Sequence, residues 1–431
     1  MSDPRKIAYD VLVRCASAEQ YSNIALDTAI KRAELTPPDR GLLTTLVYGV
    51  IERQITLDAI IDGLADRKGE EISPDVRTLL RLGIYQLAYL DRVPDHAAVN
   101  ETVALCRRSY SGFVNALLRS YMRLSSPIEL PDADISPAEH LSVAYSVCTP
   151  LAEKFISTFG FDRAKSILAA TFDTPKTTLR VNTLKISREN LAPHIDGAIA
   201  SELSPVGLKV TGSVRELYGF DEGLFFVQDE ASQICVGALG AKSGELVIDT
   251  CACPGSKSFG AAIDMKNTGK LLSFDLHKSK LSLISSGAQR LGIDIISADV
   301  CDGRIFLPHL EGKADRVLCD VPCSGFGVLA KKPELRYKDP AQSEALPDIQ
   351  LAILSNCSRY VKAGGTLVYS TCTIFPEENE ENVKRFLASH PEFSLCGFEF
   401  GAIDCPSGML SLYGDTHRTD GFFVARMIRS K

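Results

Sequence analysis

Arg316-Val317-Leu318-Cys319-Asp320-Val321-Pro322-Cys323-Ser324-Gly325 and Gly365-Thr366-Leu367-Val368-Tyr369-Ser370-Thr371-Cys372-Thr373 are built alike: a short apolar run, then a polar turn carrying a cysteine. Apolar runs of this length read as strands buried on both faces of a parallel sheet. In a doubly wound sheet the carboxyl ends of such strands open into the ligand crevice. Two thiols at neighbouring strand ends, one close to the carboxylate of Asp320, point to covalent chemistry on an electrophilic ring.

The same grammar extends through the C-terminal half. Leu246-Val247-Ile248 ends in Asp249, Leu271-Leu272-Ser273-Phe274 ends in Asp275, and Ile295-Ile296 leads to Asp299. Helix-length segments separate these runs, so a doubly wound α/β domain is expected over 216–431. Gly421-Phe422-Phe423-Val424-Ala425-Arg426-Met427 reads as a closing strand, antiparallel to the rest.

The N-terminal part follows a different period. Ile7, Val11, Leu12 and Cys15 share one helical face, as do Leu42, Leu43, Leu46, Val47, Val50 and Ile51; Pro74 opens a helix striped by Leu79, Leu80, Ile84 and Leu87. An all-helical domain is expected over 1–128. A polar, Pro-containing stretch from Ser125 to Pro137 reads as a linker. Residues 129–215 mix helical patterns with one alternating run, Thr178-Leu179-Arg180-Val181-Asn182, and read as a small α+β connecting subdomain.

Composition narrows the class. The chain has 431 residues, 23% charged and 45% hydrophobic, as in soluble globular proteins, with a net charge of −7 that argues against indiscriminate binding to nucleic acid. No apolar run is long enough to span a bilayer and the first residues lack a secretory h-region, so a cytoplasmic location is expected. Thirteen Cys without a C-x-x-C pair imply neither a disulfide framework nor a metal site.

The turn Asp249-Thr250-Cys251-Ala252-Cys253-Pro254-Gly255-Ser256-Lys257 joins a strand to a helix and lets backbone approach a ligand at the helix N-terminus. It is not G-x-G-x-x-G, so a dinucleotide pyrophosphate is not its natural guest and a nicotinamide oxidoreductase is disfavoured. Asp275 is placed to accept hydrogen bonds from ribose hydroxyls, and Asp299 from an adenine amino group. An adenosine bearing an amino-acid tail, S-adenosylmethionine, suits the set.

These residues carry a resemblance. Asp249–Lys257, Asp320–Gly327 and Ser370–Asn379 resemble the signature motifs of the RNA cytosine-5 methyltransferases; Phe226-Val227-Gln228-Asp229-Glu230-Ala231-Ser232 and Arg418-Thr419-Asp420-Gly421-Phe422-Phe423 match further blocks. Asn23-Ile24-Ala25-Leu26 and Val93-Pro94-Asp95-His96-Ala97-Ala98-Val99-Asn100-Glu101 resemble a NusB-type RNA-binding domain. The combination is similar to the bacterial RsmB/Sun/Fmu family of small-subunit rRNA methyltransferases. It implies a multidomain fold with an all-α NusB-like front, a small α+β connector and a Rossmann-like S-adenosylmethionine-dependent domain.

The resemblance also implies roles. Spacing alone does not separate the two thiols, and DNA cytosine-5 enzymes use the Pro-Cys residue as nucleophile. The RNA family assigns the nucleophile to the Thr-Cys motif, hence Cys372, and product release to Cys323, with Asp320 at the cytosine edge. Its cofactor contacts carry over to Cys251, Ala252, Cys253, Pro254, Gly255, Ser256, Lys257, Asp275, Asp299 and Asp320. The loop departs from the family's Cys-Ala-Ala-Pro-Gly-Gly-Lys-Thr at Cys253, Ser256 and Ser258; Ser256 matters most, because glycine there permits positive φ or close approach. Lys331, Lys332 and Arg336, with Arg180, are candidate RNA contacts. The expected partner is 16S rRNA or a small-subunit assembly intermediate, bound by a monomer that needs neither membrane nor metal. The competing reading is a non-catalytic RNA-binding assembly factor with an idle methyltransferase fold; the Cys pair and the acidic strand ends argue against it.

Overall fold

The computed structural model describes residues 3–16, 22–65, 72–124, 128–173 and 176–430. The chain divides into two compact units: residues up to 169 together with 332–340, and residues 170–331 together with 341–431.

The first unit is helical. Its helices are α1 (Pro4–Ala16), α2 (Ser22–Arg32), α3 (Pro37–Glu52), α4 (Gln54–Leu64), α5 (Pro74–Tyr89), α6 (Asp95–Ala104), α7 (Ser111–Met122), α8 (Pro137–Tyr145), α9 (Thr149–Phe159) and α10 (Phe161–Ala170). Proline at the first turn starts α3 and α5, and Thr36 caps α3 by accepting the Asp39 amide. The expected stripes face inward: Leu43, Leu46, Val47, Leu80 and Ile84 are wholly buried, with Ile7, Leu42 and Cys15 packed around them. Part of the expected linker, residues 125–127, lies outside the described residues.

The division differs from the expected one at two places. Helices α8–α10 belong with the helical unit: Thr56 Oγ1 donates to the Val143 carbonyl and Ser146 Oγ accepts the Ile55 amide. Residues 332–340 also belong to that unit, although their sequence neighbours do not.

The second unit begins with a small antiparallel sheet of β1 (Thr177–Val181), β2 (Ile199–Ala200), β3 (Gly207–Val210) and β4 (Phe225–Val227), in the order β2-β3-β1-β4. It runs past 215, where the connecting subdomain was expected to end. The large sheet contains β5 (Leu246–Asp249), β6 (Lys270–Asp275), β7 (Ile296–Val300), β8 (Ala314–Asp320), β9 (Val361–Thr371) and β10 (Phe393–Leu395). After the hairpin of β11 (Phe398–Phe400) and β12 (Ile403–Cys405) come β13 (Met409–Leu412) and β14 (Phe422–Arg429). The order is β10-β14-β9-β8-β5-β6-β7, with β13 also paired to β14.

Strands β9, β8, β5, β6 and β7 are mutually parallel, and β14 is antiparallel to β9 as its sequence implied. It is not the edge, since β10 and β13 continue beyond it. Val317, Leu318, Cys319, Leu367, Val368 and Tyr369 are wholly buried, which explains the unbroken apolar runs. The chain passes from β5 to β6 and β7 on one side, then to β8 and β9 on the other. The strand order therefore reverses between β5 and β8, the place at which doubly wound sheets bind ligands outside the carboxyl ends. Among the described residues, no helix is long and apolar enough to cross a membrane.

Candidate active site

Register brings the strand ends together. Asp320, last in β8, pairs with Ser370 of β9, and Ser370 Oγ donates to Asp320 Oδ1 at 2.8 Å. The other carboxylate oxygen takes the Lys257 ammonium at 2.7 Å. Burial works against the charge of Lys257, but the adjacent Asp320 carboxylate outweighs it and raises the lysine above its ordinary value; Cys372 lies within reach of the same ammonium. The ammonium also stands 5.4 Å from the centroid of Phe422. Sequence placed Lys257 in the cofactor loop; the structure pairs it with the Asp320 carboxylate at the end of β8.

The two thiols meet. Cys323 Sγ and Cys372 Sγ are 3.1 Å apart, neither is in a disulfide, both cysteines are half-buried, and the Cys372 amide donates to Cys323 Sγ at 3.2 Å. The hydrogen bond with Cys372 and then burial push the Cys323 thiol well above its usual value. The turns are tied through Gly327, whose amide donates to the Cys372 carbonyl and whose carbonyl accepts the Gly421 amide. A Cβ on Gly327 would stand 2.0 Å from the Gly421 carbonyl oxygen, so glycine is required there.

The loop after β5 lies beside this pair. Asp249 is 1% exposed; its Oδ2 accepts Ser258 Oγ at 2.6 Å, and burial pushes its pKa to about 7. Ser258, the departure from Thr, thus retains a bonded hydroxyl. Gly255 adopts φ 111°, and a Cβ on it would strike the Phe259 ring. Ser256 begins the helix Ser256–Asp264 and is not among the residues with positive φ, so the special backbone lies at Gly255 and serine at 256 introduces no strain. Cys251, Ala252, Cys253 and Pro254 form the turn itself. Burial raises the thiols of Cys251 and Cys253, the latter to about 11.

Asp275 Oδ2 accepts the Cys253 amide at 3.2 Å and Oδ1 the His277 amide at 2.9 Å, which ties the loop to the end of β6. Asp299 is exposed, and its Oδ1 accepts the Val300 amide. Leu276 and Val300, next to these carboxylates in the chain, are 54% and 44% exposed, so apolar side chains stand in solvent at both strand ends. Backbone amides at a helix N-terminus, carboxylates at two strand ends and apolar flanks fit an adenosine carrying a charged tail.

Two of the RNA-contact expectations need correction. Arg180 is 1% exposed and ion-paired to Asp264 at 2.6 Å. Arg336 is wholly buried in the helical unit, where Nη1 donates to the Tyr145 carbonyl and Nη2 lies 3.5 Å from Glu52. Neither guanidinium faces solvent, so neither can reach a phosphate. Lys331 holds Asp229 at 2.5 Å and Asp420 at 2.7 Å, so its ammonium is engaged by two carboxylates. Lys332 is exposed. Among the described residues no His, Cys, Asp and Glu cluster has the arrangement of a metal site.

Comparison with known proteins agrees with this architecture. Residues 236–428 match the family described as 16S rRNA methyltransferase RsmB/F, and residues 2–123 match the NusB family. The chain is 38% identical to a Bacillus subtilis protein named probable ribosomal RNA small subunit methyltransferase B, covering 98% of each chain. It is 36% identical to a Synechocystis protein of the same name, covering 99% of each. The crystal structure of PH0851 superposes with a TM-score of 0.80 at 27% identity, over 100% of this chain and 99% of that one.

Proposed function

The chain belongs to the RsmB/F family of small-subunit rRNA methyltransferases, and on that premise we propose that it methylates C5 of a cytosine in 16S rRNA through a covalent bond between Cys372 and C6. The observation that carries this reading is the juxtaposition of the Cys323 and Cys372 thiols with the Lys257–Asp320 ion pair at the strand-order reversal.

Cytosine C5 is a weak nucleophile. Addition of the Cys372 thiolate to C6 forms a C–S bond and moves the ring's electron pair onto C5. S-adenosylmethionine supplies the methyl group. Loss of the C5 proton then re-forms the double bond and expels the thiolate, which is both a good nucleophile and a good leaving group. Lys257 holds Asp320 fixed and favours negative charge at Cys372. Asp320 retains lone pairs to accept from the cytosine amino edge. Cys323, kept as a thiol beside Cys372, assists release. Cys251 to Lys257, Asp275 and Asp299 would hold the methyl donor, and the exposed Lys332 would meet phosphate. A stacked target base must be extruded to reach the thiol.

Labelled methyl transfer to deproteinised 16S rRNA from a strain lacking this chain tests the reading. Label recovered as 5-methylcytidine supports it. Binding of that RNA without transfer would instead favour the idle-fold assembly factor.

A further inference from the structure

Behind the two thiols lies a buried polar network on which the reaction scheme above does not draw. Glu378, in the short turn Pro376–Glu378 after the Cys372 loop, is 2% exposed. Its Oε2 accepts the Ser324 amide at 2.9 Å and Gln350 Nε2 at 2.8 Å. Gln350, wholly buried on the helix Leu346–Ser358, also donates to the Pro322 carbonyl at 3.0 Å. The peptide groups on both sides of Cys323 are therefore gripped from behind, one by the carboxylate and one by the amide.

The grip is itself braced. The Tyr369 hydroxyl donates to the Glu378 carbonyl at 2.5 Å, and Asn382 Nδ2 donates to Gln350 Oε1 at 3.1 Å. On the Cys372 side, Ser324 Oγ donates to Thr373 Oγ1 and Asn379 Nδ2 to the Thr373 carbonyl. Glu378, Gln350, Asn379, Asn382, Ser324 and Thr373 are each at most 2% exposed. A buried carboxylate without an ion-pair partner costs stability unless such bonds satisfy it. Among the described residues its carboxylate bonds to the Cys323 turn and to Gln350, and to no residue of the cofactor loop, which points to a role in the thiol geometry.

We infer that Glu378 and Gln350 are positioning residues that fix the Cys323 turn against Cys372, and that they govern release of the methylated RNA more than addition to it. The inference rests on the assignment of Cys372 to addition and Cys323 to release. Cys372 directly follows β9, whose last residue Thr371 is still paired with Phe423, whereas Cys323 sits on a turn whose two flanking peptide groups are bonded by these two side chains.

The test follows Glu378→Ala, Gln350→Leu, Glu378→Gln and Cys323→Ala with 16S rRNA from a strain lacking the chain and labelled methyl donor. Single-turnover methylation and the denaturant-resistant RNA–protein adduct are read separately, with thermal melting as the check on folding. Glu378→Ala and Gln350→Leu are expected to methylate within a few fold of the parent but to release about a hundredfold more slowly, as for a reacting group displaced by an ångström. Adduct should accumulate. Glu378→Gln keeps an acceptor oxygen and should release nearly as the parent does. If Glu378→Ala does not fold, Gln350→Leu decides. Folded variants that release at the parental rate, or that lose methylation and release equally, overturn the inference. Failure of Cys323→Ala to accumulate adduct would instead overturn the assignment beneath it.

Discussion

The two sides of the crevice are built on opposite terms. At the ends of β8 and β9, the turns carrying Cys323 and Cys372 are backed by buried side chains whose hydrogen bonds leave little freedom. At the ends of β6 and β7, Asp275 is half-buried, and Leu276, Asp299 and Val300 are exposed. The difference follows from what each side must do. On the proposed mechanism, two thiols that act in turn on one ring need fixed separations, and buried, mutually satisfied polar groups supply them. A surface that admits and releases a small molecule at every turnover must keep its carboxylates within reach of solvent.

The comparison is broken most severely at Cys372. Cys372→Ala should reduce turnover by about four orders of magnitude or more and abolish the covalent RNA complex, while Cys323→Ala retains addition and traps RNA on denaturing gels. Adduct formation surviving in Cys372→Ala would exchange the roles of the two thiols. On the open side the loss should be graded. Asp275→Ala removes the proposed ribose acceptor and the tie to the Cys253 amide, and should weaken cofactor binding by about tenfold to a hundredfold in calorimetric titration. Asp299→Ala, at an exposed carboxylate, should weaken it less. Equal losses at the two positions would contradict the contrast between them.

The smallest expected effect is a dependence of stability on pH. Burial holds the Asp249 carboxyl up to about 7, and burial together with Asp229 does the same for Asp420. Between roughly pH 4 and 7 the folded chain keeps these protons while the unfolded chain loses them, so unfolding free energy falls as pH rises through that window. Asp249→Asn should remove part of the decline and leave the part due to Asp420. Denaturant unfolding at pH 5 and pH 7.5 reads it; an unchanged slope would show that Asp249 is already ionised across the window.

Much of the sheet was legible because buried parallel strands must be continuously apolar and must end where polar groups can emerge. Asp249, Asp275, Asp299, Asp320, Cys323 and Cys372 were singled out by that rule, and register sets the four aspartates at the carboxyl ends of adjacent parallel strands. The cations were misread for the converse reason. Arg180 occupies an inward position of β1, and its partner Asp264 is distant in sequence; Arg336 is drawn into the helical unit by Glu52 and the Tyr145 carbonyl. Local composition around Lys331 to Lys338 cannot reveal that burial. Gln350 went unseen because nothing in a helical stripe marks a buried amide. Glu378 lay within the Ser370–Asn379 motif, but its partner Ser324 is visible only once β8 and β9 are paired. The edge of the helical unit was placed too early because α8–α10 are joined to it by contacts such as Thr56 with Val143, which periodicity does not encode.

The central claim is a transient bond between Cys372 and a pyrimidine ring. Incubating the enzyme and S-adenosylmethionine with 16S rRNA carrying 5-fluorocytosine at its target position, then locating the crosslink by peptide mass spectrometry, tests it most directly. Fluorine at C5 blocks the elimination that frees the enzyme, so the modified peptide should contain Cys372 with the nucleotide attached through sulfur. A crosslink on Cys323, or an active enzyme that methylates ordinary RNA yet forms no crosslink, would contradict the account.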